Sequence, residues 1–501
     1  MIYRLPPYLR MWDTWMFREH DRYHLFTLTQ PYNKQAWDRV CHAVTTDWLN
    51  WEERPEILLQ DTQNPDAWDA GFILTGSVFR TPDGYGMTYG SRHEDREKIG
   101  LLLSRDLDIW DKHPANPMLC ARGPYYEATP ADTAHNTVPW RDAYVIPAAD
   151  GSYEAFICAG DMRVPKTVNG CIARVTSRDL VNWEYHPPMA SPGRHLDMEV
   201  PQYFAWNGFH YLLYSTSGIY RRIHLPSRQC VTGTFYLMSD SKHGHYRVPD
   251  DHLLIGSGEG RFDCYVGKII ETDAGPLLYH HINGYRTAFA APKVVGQNPD
   301  GTLFLKRWPG LDGLLGTQQL GPGSSGQVLK ASGKWPIGEW RSAAATLTGD
   351  AGVAMSAWLF DQHLEDFAAR CTVDLSGAAR AGVIFRIHES DTMSEKGWAV
   401  SLDRERARIE LCRPIMQCRT TLRIDPLDVV YGALPDRCEI EVWVRDSYVE
   451  VYVNNRPCFV LNTSLVTAAD HVTSGRLGLF VENGSARFLD LRVADIPVKL
   501  S

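Results

Sequence analysis

The sequence predicts an all-β protein, a five-bladed β-propeller followed by a C-terminal β-sandwich. Three observations carry that expectation. Nearly every ordered stretch is a short run rich in Val, Ile, Tyr and Phe between Gly, Asp and Asn turns, the pattern of strands and not of helices. One motif recurs along the first part of the chain at a spacing of roughly 60–70 residues, about one four-stranded sheet with its loops. Past Trp340 strands continue, but the motif and its spacing are lost.

The repeat comes first. Ala43–Trp51 reads AVTTDWLNW, Leu102–Trp110 reads LLSRDLDIW and Val175–Trp183 reads VTSRDLVNW, with a weaker copy, LMSDSKHGHY, at Leu237–Tyr246. Each is a strand end, a Ser/Thr-Asp turn and a closing aromatic. A hairpin precedes each copy, at His24–Thr29, Phe72–Tyr89, Tyr144–Ala159 and Tyr203–Tyr214, and a fifth follows at Val266–His280. Asp150-Gly151 and Asn207-Gly208 supply two of the tight turns. Five such sheets arranged radially make a propeller, expected over residues 1–312. Residues 313–339, with the run Gly321–Gly326, read as a linker. Residues 340–501 carry new strands, among them the alternating Cys438–Arg445, and read as an antiparallel sandwich.

Composition narrows the function. The 501 residues carry a net charge of −9, which argues against a polyanion such as nucleic acid as partner. The 11 cysteines are scattered, with no Cys-x-x-Cys pair, as expected of free thiols in a reducing compartment. Met1–Arg10 lacks the apolar run of a signal peptide, and no stretch approaches the roughly 18 apolar residues of a membrane span. A soluble, cytoplasmic protein with no membrane partner is the expectation. Trp and Tyr are plentiful, at 16 and 23, enough to fill a core and to line a sugar site as well.

In a propeller the first strand of every blade lines the central axis, so the residues opening those strands converge. The openings are Met11–Trp15, Phe72–Ser77, Trp140–Tyr144, Asp197–Pro201 and Arg261–Tyr265. Four of the five carry an acid, read as sharing one structural position, and the fifth a small hydroxyl. Converging carboxylates serve two chemistries: binding a hard cation, or cleaving a glycoside with one carboxylate as nucleophile and a protonated one as acid. Trp12, Trp15 and Trp140 beside the acids favour a sugar. Arg141 is placed to keep a neighbouring carboxylate ionised, and Glu199, unpaired between Met198 and Val200, is placed for a raised pKa.

These residues resemble, over nearly the whole chain, the fructan-acting glycoside hydrolases of family 32 and their relatives in family 68. The resemblance implies a propeller followed by a sandwich, and retaining action on β-fructofuranosides. Trp12-Asp-Thr-Trp15 matches the nucleophile motif, making Asp13 the nucleophile. Arg141-Asp142-Ala143 matches the Arg-Asp-Pro motif, making Asp142 the residue that holds sugar hydroxyls. Glu199-Val200-Pro201 matches the Glu-Cys-Pro motif, making Glu199 the acid/base. His42-Ala-Val and Thr75-Gly-Ser77 are similar to the substrate-pocket strands. Departures from family 32 are Trp12 for an Asn, Thr14-Trp15 after the nucleophile (closer to family 68), Ala143 for Pro and Val200 for Cys.

The candidate site is therefore Asp13, Asp142 and Glu199, with Trp12, Trp15, Gln30, His42, Ser77, Trp140, Arg141 and Asp263 as substrate-binding candidates. No cofactor and no metal is expected, and the partner is a short oligosaccharide: a fructo-oligosaccharide, sucrose or a difructose dianhydride. Transfer in place of hydrolysis, an arabinofuranoside substrate and a non-catalytic sugar-binding protein are the alternatives. Other features read as structural: His93–Lys98 as a solvated charged loop, Gly256–Gly260 as a loop, and the pairs His243/His245 and His280/His281 as surface or packing residues.

Overall fold

In a computed structural model of the chain, the described residues are 1–217, 223–230, 232–258, 263–284, 287–329, 338–388, 397–417, 421–465 and 472–497. Among the described residues the first part forms five antiparallel blade sheets, each following chain order from an inner strand outward, and a small two-stranded ribbon, Ile223–His224 with Gln229–Cys230. The inner strands are Leu9–Glu19 in blade one, Phe72–Leu74 with Val78–Thr81 in blade two, Trp140–Pro147 in blade three, Glu199–Trp206 in blade four and Cys264–Thr272 in blade five.

The motif is a turn that builds itself from side chains. Thr45 Oγ1 accepts from the amide of Trp48 at 2.9 Å, and Asp47 Oδ1 from those of Leu49 and Asn50 at 2.9 and 2.8 Å. Ser104 with Asp106 and Ser177 with Asp179 repeat these bonds. Trp51, Trp110 and Trp183 each close the turn by donating the indole N–H to the carbonyl of the residue three before. That residue takes φ of 64–67° every time, at Trp48, Leu107 and Leu180. The side-chain oxygens compensate backbone groups that a left-handed turn would leave unpaired.

Apolar cores fill the gaps between blades. Trp15, Phe26 and Val40 meet Ile73 and Met87 between blades one and two. Ile99 and Leu101 meet Trp140 and Ile157, Phe156 and Ile172 meet Tyr214 and Phe235, and Tyr211 and Tyr236 meet Ile269 and Leu278. The ring closes where Met11 and Leu25 pack on Leu277 and Tyr279. There Ile2 and Phe289 also bond backbone to backbone, the Ile2 amide donating at 3.0 Å.

The second part is a two-layered sandwich. Phe367–Ile387 and Gly475–Asp495 are 21 residues each and pair with each other along most of their length. Their register breaks between Asp374 and Gly377, and there they cross from one layer to the other. Phe367–Asp374 pairs with Arg437–Arg445, whereas Arg380–Phe385 pairs with Trp398–Asp403. Val373, Phe385, Val400, Ile440, Val451 and Leu479 fill the space between. Within 313–339, the stretch expected as a linker, Gln318–Leu320 pairs with Gly475–Asp495, and Gly326–Val328 with Met355–Leu364. Both belong to the sandwich, because short extended runs can pair even without an apolar period. Residues 330–337 of that stretch lie outside the described residues.

The domains meet through cations on the propeller and carboxylates on the sandwich. Lys293 bonds Glu450 at 3.0 Å, Arg307 bonds Glu441 at 2.6 Å, Arg4 bonds Asp446 at 2.8 Å, and Arg228 bonds Asp428.

Candidate active site

The inner strands share one irregularity near their starts. Register slips between Met11 and Thr14, between Arg141 and Tyr144, between Glu199 and Gln202, and between Tyr265 and Lys268. In blade two the strand is interrupted at Thr75-Gly76-Ser77, where a Cβ on Gly76 would lie 1.7 Å from the Thr88 carbonyl oxygen, so only glycine fits. Such bulges turn a strand and re-aim its side chains. Asp142, Val200 and Val266 hold them with φ of 60°, 49° and 51°, a left-handed backbone that is costly for a β-branched valine.

The bulges correct the expectation that the acids share one position. Asp13 is the second bulge residue of blade one, Asp142 the first of blade three, and Glu199 the residue before the bulge of blade four. The one-residue stagger still brings the three together: Arg141 and the Val200 amide link Asp142 and Glu199, and Asp13 lies near enough to feel the charge of Glu199 and Arg141. Arg141 is buried and touches four carboxylates: Glu97 at 3.0 Å, Asp197 at 3.1 Å, Glu199 at 2.7 Å and Asp142 at 3.5 Å. The Val200 amide donates to Asp142 Oδ2 at 3.1 Å. Thr75 Oγ1 donates to Asp13 Oδ2, and Asp13 Oδ1 is buried without a hydrogen-bond partner.

Glu199 is therefore not unpaired, as the sequence suggested. Its side chain is 25 % exposed, against 7 % and 4 % for Asp13 and Asp142 as residues, so it is the carboxylate of the three most open to solvent. All three are pushed up to about 7. For Asp13 burial is the main cause; Glu199 adds to it, and Thr75, Lys268 and Arg141 oppose it. For Asp142 burial again leads, opposed by Arg141 and reinforced by Asp13. For Glu199 burial leads, Arg141 pulls back, and Asp197 and Asp142 push further up. One guanidinium shared with two further carboxylates does not hold Asp142 and Glu199 fully ionised, so near neutrality these two retain protons together.

The other expected residues divide. Trp12 stands beside the nucleophile, stacked on Trp37 at 5.4 Å and near His281 at 5.6 Å, with Arg10 over both indoles. Gln30 donates to the Lys34 carbonyl at 2.9 Å and so braces the turn leading to Trp37. Trp15 and Trp140 are corrections: both are buried in the cores between blades, Trp15 on Phe26 and Trp140 on Tyr185. His42 is likewise inside blade one, stacked on Phe26 at 4.4 Å and bonded to His24 at 3.0 Å. Ser77 Oγ donates to the Ala143 carbonyl at 2.8 Å and accepts from the Val145 amide at 3.1 Å, bracing the Asp142 bulge from behind. Asp263 accepts from the Asn462 amide at 2.9 Å, a tie to the sandwich. Its neighbours Arg261 and Phe262, with Glu259 and Gly260 of the glycine-rich run, lie outside the described residues.

Sequence reasoning missed several residues. Glu97 sits in the charged run read as a solvated loop, yet it is buried, bonded to Arg92, Arg141 and the Trp140 amide. Alternation along Arg96–Ser104 was the available signal, since Glu97, Ile99 and Leu101 share a face. Lys268, buried within the apolar Cys264–Thr272, was passed over with no local signal at all, and Thr75, quoted among the pocket strands, was given no role of its own.

Residues 14–263 match the glycosyl hydrolases family 32 N-terminal domain. The overall structure is similar to that of sucrose-6-phosphate hydrolase from Lactobacillus gasseri, with a TM-score of 0.67, 13 % identity, and 100 % of this chain and 93 % of that chain covered. It is similar to fructan 1-exohydrolase IIa from Cichorium intybus, with a TM-score of 0.64, 14 % identity and coverages of 99 % and 96 %. Fructofuranosidase from Schwanniomyces occidentalis, solved with fructose, gives 0.61, 14 %, 98 % and 97 %. No curated protein matches the chain.

Proposed function

The chain belongs to glycosyl hydrolase family 32, and from that premise we propose that it cleaves β-fructofuranosides by double displacement, with Asp13 as nucleophile and Glu199 as acid/base. The observation that carries the reading is the convergence of Asp13, Asp142 and Glu199, from three blades, around one buried guanidinium. Buried Asp13, with a donor on one oxygen and the other free, is built to attack an anomeric carbon. Glu199, raised toward neutrality and open to solvent, is built to protonate a departing oxygen and then to deprotonate the water that releases the sugar. Asp142, locked by the Val200 amide, is suited to bind two ring hydroxyls as charge builds at the anomeric centre. The Trp12–Trp37 pair supplies an apolar face for a sugar ring.

The names of the structural relatives, a sucrose-6-phosphate hydrolase, a fructan exohydrolase and a fructofuranosidase, support a short fructoside as substrate. The test is NMR of the first product released from a β-fructofuranoside, read before mutarotation. Retained β configuration is expected; the inverted anomer would exclude Asp13 as a nucleophile.

A further inference from the structure

Past the bulges the inner strands line a cavity of about 490 Å³. Its walls include Tyr144, Gln202, Tyr279 and Lys268. Lys268 is the first residue after the bulge of blade five, level with Thr14, Tyr144 and Gln202 of blades one, three and four. Gln202 is committed to both backbone groups of Ile269, at 2.7 Å each. The phenol ring of Tyr144 lies 5.9 Å from the Lys268 ammonium. Lys268 is 2 % exposed and, among the described residues, makes no hydrogen bond or ion pair.

An ammonium so buried is costly unless charge of opposite sign faces it. Asp13 directly precedes Thr14, which is level with Lys268, so the carboxylate lies one step along the axis from the ammonium; Asp142 on blade three and Asp13 on blade one both act on it electrostatically, and it acts on Asp13 in return. The other titratable or charged groups facing this cavity are Tyr144, Tyr203 and Tyr279, with Arg18, Arg80 and Glu271 lining it farther along the strands. Arg18 and Arg80 are committed elsewhere, to Asp273 and Glu19. Arg141 is shared among four carboxylates. Among the described residues lining this cavity, Lys268 is thus a cation with no carboxylate bonded to it.

We propose that Lys268 is a positioning residue, an axial counter-ion that keeps Asp13 ionised from behind while substrate approaches from the opposite side. The inference deepens the reading of Asp13 as nucleophile and rests on it. Burial lowers Lys268 to about 8, whereas Asp13 and Asp142 hold its proton, so it is charged where the enzyme needs an ionised Asp13.

The test compares pH profiles of kcat/KM for the native chain, Lys268→Met and Lys268→Arg. Lys268→Met keeps most of the volume and removes the charge. The acid limb should move up by about one pH unit, a tenfold loss on the acid side. Lys268→Arg should restore most of it. A Lys268→Met profile lowered by the same factor at every pH, or a Lys268→Arg profile no better than that of Met, would overturn the proposal. If Lys268→Met does not fold, 13C NMR of the Asp13 carboxyl in the native chain decides. Its titration should show a second step where Lys268 loses its proton, and a single step would overturn the idea. Asp13→Asn run in parallel separates the two readings. Retained turnover there removes the nucleophile assignment, whereas lost turnover with an unmoved acid limb removes only the role of Lys268.

Discussion

Replacing Arg141 with Met should be the most damaging single change near the axis that leaves the three catalytic candidates in place. The native guanidinium donates to Glu97, Asp197 and Glu199 at 3.0, 3.1 and 2.7 Å and lies 3.5 Å from Asp142. Met fills comparable space but leaves four carboxylates in a site where Glu97, Asp142 and Asp197 are each under 5 % exposed. Removing one partner of a buried ion pair costs about 3–5 kcal/mol, and that is the expected loss at pH 7. The sign of the pH dependence follows from the protons. Without Arg141 the folded-state pKa values of Asp142 and Glu199, already raised by burial, rise further above their unfolded values. Between the two values the folded state then binds more protons than the unfolded one, so stability increases as pH falls. One additional proton held from pH 7 to pH 5 recovers about 2.7 kcal/mol. Urea unfolding at both pH values is the assay. A deficit below about 1 kcal/mol at pH 7, or one that does not shrink at pH 5, would refute the claim that this cation neutralises the cluster. kcat/KM should fall by about a thousandfold, since Glu199 and Asp142 both lose their placement.

Two further outcomes follow from the packing. Burial pushes Glu450 up, but Lys293, the N-terminal ammonium, Tyr452 and His280 together outweigh it and Glu450 is held at about 2. With its folded pKa below its unfolded value, Glu450 contributes stability above about pH 4.3 that disappears as pH falls toward 2. Glu450→Gln should remove that part of the acid transition, read by thermal melts from pH 6 to pH 2, and should cost about 3–5 kcal/mol at pH 7 because Lys293 stays buried and unpaired. His42→Asn should cost about 1–3 kcal/mol through lost packing on Phe26 and the lost bond to His24, while leaving KM within about twofold. A large rise in KM would return His42 to the substrate pocket.

Much of this was legible in the sequence, for a physical reason. The Ser/Thr-Asp turn satisfies its own backbone, so it needs the same residues wherever it occurs, and its copies at Thr45, Ser104 and Ser177 mark out the blades. The catalytic candidates were legible because acids at the starts of axial strands have no ordinary packing role. The residues around them were harder to place. A strand turns its side chains to alternate faces, and a bulge reverses that alternation, so Trp15 and Trp140 point into cores although their neighbours reach the axis. Glu97 was hidden because a buried salt bridge and a solvated charge run look alike in sequence. Lys268 was hidden because its partners come from blades one and three, more than a hundred residues away in the chain.

The central claim is tested most directly by incubating the native chain, Asp13→Asn and Glu199→Gln with sucrose and with inulin- and levan-type oligosaccharides, and quantifying free fructose. The account predicts fructose from the native chain, a loss of about a thousandfold or more in both variants, and unchanged melting behaviour relative to the cost of a single polar substitution. Near-native release by both variants, or sugar binding by the native chain with no release at all, would contradict it.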